Sequence, residues 1–140
     1  MVGDYGYIYN SDKIAFDAMN QIMKEKKTPR DDIDFITTVG DNIYPVLNVT
    51  DPPDSEFDLM MDIFLKRDPL KNLDIYPVRG NHECRFALDR ETELSKKYPT
   101  WKFNELYYKR EIDIGNGKKL GLLFIDSCFM LCSTYSYKND

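Results

Sequence analysis

The stretch DIYPVRGNHE, Asp74 to Glu83, decides how this chain is read. Its first half, Asp74 to Val78, has the short apolar character of a buried strand. The strand then breaks at Gly80 and presents Asn81 and His82. His82 is the only histidine among 140 residues. The same arrangement occurs upstream. Asp34 to Val39 (DFITTV) is a β-branched, mostly apolar run that ends in Gly40-Asp41-Asn42. Gly3-Asp4 stands near the start, and the run LGLLFI (120–125) ends at Asp126. Each time, a polar oxygen donor follows a strand. Where glycine precedes it, the chain can turn sharply and backbones can approach closely.

Between these strands the apolar spacing is helical. Ile14, Ala18 and Ile22 fall at i, i+4 and i+8, with Ala15, Met19 and Met23 beside them. This predicts an amphipathic helix over 11–27, capped by Ser11 or Asp12 and ended by Thr28-Pro29. Phe57, Met60, Met61, Phe64 and Leu65 predict a second helix over 55–67, with Asp54 as its cap. Residues 47–54 read as loop and 84–104 as irregular or weakly helical. Tyr107 to Ile114 alternates, turns at Gly115-Asn116-Gly117 and returns through Lys119 to Ile125. That is hairpin chemistry. Helices alternating with strands predict an α/β fold, a mixed β-sheet flanked by helices.

In open α/β sheets, ligands bind beyond the carboxyl ends of the strands. Asp4, Asp41, Asn81 and His82 would gather on one such rim. Carboxylate and amide oxygens with an imidazole suit hard or borderline metal ions. Two such ions side by side hydrolyse phosphate esters by activating water and clamping phosphoryl oxygens.

The motifs GDYG (3–6), GDNIY (40–44) and GNHE (80–83), in this order and spacing, resemble the calcineurin-like metallophosphoesterases. Within them the chain is most similar to the purple acid phosphatase branch, of the tartrate-resistant type. FIDSCFMLC (124–132) looks like that type's next strand and loop. Gly6 stands where the wider superfamily has a histidine, and Tyr44 lies three residues after Asp41; that paired change is the branch's pattern. The resemblance implies the first half of a four-layer αββα sandwich. It implies that Asp4 and Tyr44 bind Fe3+, that Asp41 bridges both metals, and that Asn81 binds Fe2+, Zn2+ or Mn2+. His82 would contact the substrate phosphate and protonate the leaving group. The substrate would be a small phosphate monoester. A secreted or lysosomal location is the family tendency, and the sequon Asn48-Val49-Thr50 agrees with it.

The resemblance also calls for three later histidines, which this chain does not contain. The expectation is a domain over 1–140 truncated at both ends, with apolar sheet face left open and no activity of its own. Two other readings stand beside it: a non-catalytic paralogue used as a binding module, and a phosphodiesterase or nucleotide phosphatase of the same superfamily. Asn42 is expected to brace its loop, Glu83 to orient His82 or face solvent, and Arg79 to be solvated. Asp126 is expected to make loop hydrogen bonds.

Composition narrows the partners. The net charge of −5 and the pI of about 4.9 leave no basic stripe for nucleic acid and no polybasic patch for lipid. No apolar run approaches the roughly 18 residues of a membrane span. The opening Met-Val-Gly-Asp-Tyr-Gly has no signal-peptide pattern. Cys84, Cys128 and Cys132 are an odd set without CxxC spacing, expected as free or buried thiols.

Overall fold

Strand Asp74–Tyr76 (β2) lies at the centre of the described chain, with neighbours on both edges. The structure is a computed structural model and describes residues 16–18, 20–21, 24–25, 33–44, 54–68, 70–85 and 88–128. On one edge β2 pairs in parallel with Phe35–Thr37 (β1), Ile36 facing Ile75. On the other, Ile75 donates to the Thr100 carbonyl at 2.8 Å and accepts from Lys102 N–H at 2.8 Å. Ile36, Ile75 and Trp101 are all buried. Parallel neighbours need a crossover, and the β1–β2 crossover contains helix Asp54–Leu65 (α1).

Helix α1 forms because Phe57, Met60, Met61 and Phe64 share one face, and all four are buried. Ile63 is buried as well. Asp54 and Glu56 sit in the first turn, where the helix dipole favours negative charge. At the other end, Arg67 Nη1 donates to the Ile63 carbonyl at 2.6 Å, satisfying an otherwise orphaned group. The predicted helix over 11–27 is helical at the described positions 16–18, 20–21 and 24–25; its ends lie outside the described residues. Of the expected stripe, Ile14, Ala15, Met19, Ile22 and Met23 lie outside the described residues. Ala18 is exposed and Phe16 is buried, edge-on to Phe64 with ring centroids 5.6 Å apart.

The segment expected to be irregular or weakly helical holds a regular helix, Leu88–Lys97 (α2). Its charges hid it: ten residues carry six ionisable side chains, and few apolar positions reveal the period. Arg90 pairs with Asp54 at 2.7 Å, and Lys97 pairs with Asp58, so α2 is stitched to α1 along its rim. Beneath the rim, Leu94 and Glu91 are buried.

Glu91 is 2% exposed, and its Oε2 has no hydrogen-bond partner among the described residues. Burial holds its carboxyl well above the usual carboxylate range; the nearby Glu83 and Asp126 add to this, and Arg79 opposes it. A carboxyl raised on folding stabilises fully below its unfolded pKa, about 4.5, and the contribution is lost as pH rises towards the folded value. Stability should therefore fall as pH rises from about 4.5, and Glu91→Gln, which cannot ionise, should flatten that slope. Urea midpoints at acid and mildly alkaline pH would show it. An unchanged slope in the variant would refute a buried, neutral Glu91.

The hairpin is as expected: Tyr107–Gly115 (β3) and Lys118–Ile125 (β4) pair antiparallel. Asn116 and Gly117 turn it at φ of 55° and 70°, the left-handed pair that matches strand twist. Tyr108 and Phe124 stack at 4.4 Å on its inner face, and the Tyr108 hydroxyl donates to the Pro77 carbonyl. The outer face leaves Tyr107, Leu123 and Ile125 exposed. Parallel and antiparallel pairs together make the mixed α/β fold expected, with two ladders among the described residues. No described helix is long and apolar enough to cross a membrane.

Candidate active site

Both glycine-polar turns leave the carboxyl ends of β1 and β2, adjacent parallel strands, so they meet. The meeting is backbone to backbone. Gly40 has φ of +101°, and a Cβ on it would lie 2.7 Å from Gly80 Cα. A Cβ on Gly80 would lie 2.2 Å from Asp41 Oδ1 and 2.3 Å from Asp41 N. Only glycine fits either place. Asp41 itself takes a left-handed φ of 50°, tolerated by aspartate and uncommon otherwise.

One buried carboxylate joins the two turns. Glu83 folds back from a single 3₁₀ turn, Glu83–Arg85, and is 0% exposed. Its Oε1 accepts from Ile43 N–H at 2.7 Å. Its Oε2 accepts from Gly80 N–H at 2.6 Å and Asp41 N–H at 3.0 Å. Glu83 thus does not face solvent, and its two oxygens hold backbone N–H groups of the two turns rather than the His82 ring. Burial pushes its carboxyl up to about 7, although the N–H groups of Ile43 and Gly80 favour the charged form. Asn42 braces as expected: it is fully buried and its Nδ2 donates to the Val78 carbonyl at 2.8 Å.

Above this floor the polar side chains converge. Tyr44 Oη donates to Asp41 Oδ2 at 2.9 Å. His82 N–H donates to Asp41 Oδ1 at 3.2 Å. The Tyr44 and His82 rings lie 4.1 Å apart, tilted by 43°. Asn81 is exposed beside them. Of the residues singled out by sequence, Asp41, Tyr44 and His82 are in direct contact and Asn81 adjoins His82. Asp4 lies outside the described residues, as do Asn48 and Cys132.

The donor set fits metal ions: a two-oxygen carboxylate, a phenol oxygen hydrogen-bonded to it, and an exposed amide oxygen. A second cluster of donors does not. Cys84, Asp126 and Cys128 lie close together, but the two cysteines form a disulfide with Cα atoms 5.4 Å apart. Neither sulfur is then a thiolate, and Asp126 pairs with Arg79. The expectation of free thiols is corrected at these two positions. By chain entropy, closing 44 residues contributes about 4 kcal/mol to stability.

Arg79 is also corrected. It is buried, not solvated, and its Nε donates to Asp126 Oδ2 at 2.7 Å. Asp126 Oδ1 accepts from Cys128 N–H at 2.6 Å, so Asp126 does brace its loop. Sequence reasoning missed three parts of the site: Glu83 as a strap, the Arg79–Asp126 pair and the disulfide. Glutamate next to His82 and two strand ends that both stop in a charge were the available signals; neither shows its partner. The odd cysteine count concealed the pairing.

A turn-to-turn arrangement of this kind gathers oxygen donors at the rim of parallel strands, where ligands bind in open α/β sheets. The profile of the calcineurin-like phosphoesterase family matches residues 2–132, and the chain belongs to that family, a family of hydrolases. The chain is 28% identical over 136 residues to tartrate-resistant acid phosphatase type 5 of Rattus norvegicus, and 29% identical to that of Mus musculus. In each case the match covers 94% of this chain and 40% of the relative. The chain thus spans less than half the length of these relatives.

Proposed function

We propose that this protein is an acid phosphatase of the purple acid phosphatase type, hydrolysing small phosphate monoesters at a dinuclear metal centre. The observation that carries the reading is the contact of Tyr44 with Asp41 beside His82. A generic phosphoesterase has no need of a phenol there; a ferric site has. Asp4, Asp41 and Tyr44 would hold Fe3+, with Asp41 shared by a second ion, Fe2+, Zn2+ or Mn2+, that Asn81 also binds. When bound, the metal pair supplies Lewis acidity and lowers the pKa of water.

The chain's own residues do the rest. Glu83 fixes the backbone on which Asp41 sits, so that its carboxylate meets the Tyr44 hydroxyl and the His82 N–H. Tyr44 is placed by its hydroxyl bond to Asp41 and by the His82 ring. His82 reaches the phosphate and, protonated on its ring, gives a proton to the departing alkoxide oxygen. The single histidine does not supply the further imidazoles that the family resemblance calls for, so no activity is proposed for these 140 residues by themselves. A secreted or lysosomal location goes with this reading.

The test uses protein expressed from its whole reading frame and loaded with iron and zinc. Hydrolysis of p-nitrophenyl phosphate is expected, with a visible charge-transfer band. Tyr44→Phe should abolish the band. His82→Ala should keep the band and lower kcat by about 10²-fold or more. Metal-loaded protein without a band, or a band that survives Tyr44→Phe, would sink the reading. Hydrolysis of diesters in preference to monoesters would favour the phosphodiesterase alternative.

A further inference from the structure

We infer that the Cys84–Cys128 disulfide, with the Arg79–Asp126 ion pair, is a clasp that positions Asn81 and His82, and that a dithiol can open it. The inference rests on the reading of Asn81 and His82 just given. Its basis is where the ties fall. Arg79 and Cys84 flank the Gly80–Glu83 turn, and both are bound to one short segment, 126–128. Asp126 holds Arg79 with one carboxylate oxygen and Cys128 N–H with the other.

The sulfurs also touch the turn itself. Cys84 Sγ lies 3.2 Å and Cys128 Sγ 3.6 Å from the Gly80 carbonyl oxygen. A disulfide has no thiol proton, so these are packing contacts. They rest on the peptide that leads into Asn81. Cys84 N–H also donates to that carbonyl, at 3.2 Å. The described ties of the clasp therefore fall on residues 79, 80 and 84, whereas Asp41, Asn42 and Ile43 are held by Glu83, which also accepts from Gly80 N–H, and by Val78.

This division makes the effect selective. Opening the clasp should release Asn81 more than Asp41 and Tyr44. Cys84 is half-buried and Cys128 buried, so a dithiol thiolate reaches Cys84 Sγ first. The S–S bond breaks, and Cys128 leaves as a thiolate that takes up a proton. The reductant's second thiol then closes its own disulfide and frees the Cys84 thiol. Two electrons pass from the dithiol to the cystine.

The experiment compares the whole protein before and after dithiothreitol, with Cys84 and Cys128 thiols counted by alkylation and mass spectrometry. The probes are Zn2+ and Fe3+. Reduction should weaken Zn2+ binding about tenfold or more, the range for residues that hold a ligand in place, and leave the ferric band intact. Amide exchange should quicken at Asn81 and His82 and not at Asp41 to Tyr44. The Cys84→Ser/Cys128→Ser double variant should reproduce all three results without added reductant. Unchanged zinc affinity and exchange in the reduced protein would overturn the inference. So would parallel loss of zinc and band, which marks a general brace. If the oxidised protein takes up neither metal, the phosphatase reading fails. The clasp is then decided by the exchange pattern alone.

Discussion

Glu83→Ala is expected to cost roughly 3–5 kcal/mol of folding stability, among the largest effects of any single substitution here. The estimate follows from what the side chain leaves behind. Three backbone N–H groups, of Asp41, Ile43 and Gly80, lose their acceptor together. Each buried donor left unpaired costs about 1–3 kcal/mol. Nothing nearby can collapse onto them, because the two turns are already in backbone contact. Glu83→Gln keeps the shape and one good acceptor, so it should cost less than half as much. Urea denaturation of the three proteins would give the ranking, and amide exchange at Asp41, Ile43 and Gly80 would localise it. A Glu83→Ala variant within about 1 kcal/mol of wild type would mean that water replaces the carboxylate and that the strap is unimportant. Gly80→Ala attacks the same joint from the other side. Its methyl group would displace Asp41 rather than remove its support, so metal binding should fall even where stability recovers.

Much of this arrangement was legible in the amino-acid order because the signals were local. A β-branched run that stops at glycine and a polar residue defines a strand end. Two such ends on parallel strands must share a rim. The hairpin announced itself through Gly115-Asn116-Gly117, and helix α1 through a clean stripe of Phe57, Met60, Met61 and Phe64. Asp41, Asn81 and His82 were therefore put at one rim without coordinates, Tyr44 was named only through the family resemblance, and Asn42 was rightly read as a brace.

What was not legible depends on pairs distant in sequence. Glu83 and Ile43 are 40 residues apart, and Arg79 and Asp126 are 47 apart. Spacing contains no information on such partners. Helix α2 was hidden for a different reason: six of its ten side chains are ionisable, one of the buried ones is Glu91, and Leu94 alone does not reveal a period. In the first helix the period misled at Ala18, which fits an apolar spacing as well as a larger residue does and is exposed. Burial chose Phe16, which removes far more surface from water.

The Arg79–Asp126 pair yields the second large effect. Both side chains are nearly or fully buried, 5% and 0% exposed. Arg79→Met leaves a carboxylate in the interior without its cation, and is expected to cost about 3–5 kcal/mol. Asp126→Asn is the informative contrast. Its amide oxygen can still accept from Cys128 N–H, so the loop brace survives while the charge goes. The guanidinium left behind can be matched if the otherwise neutral Glu91 ionises, since Arg79 already opposes the raising of the Glu91 carboxyl. Asp126→Asn should therefore cost less than Arg79→Met. The double variant, in which neither charge remains at this pair, should be more stable than Arg79→Met alone. That sign is the test, since two independent losses would add. Additive losses in denaturant unfolding would mean that the pair is two separate packing contributions. A double variant that recovers stability would show instead that the interior beneath Asn81 and His82 tolerates no unmatched charge. The strand end of β2 and the end of β4 then have to keep opposite charges for either to remain buried.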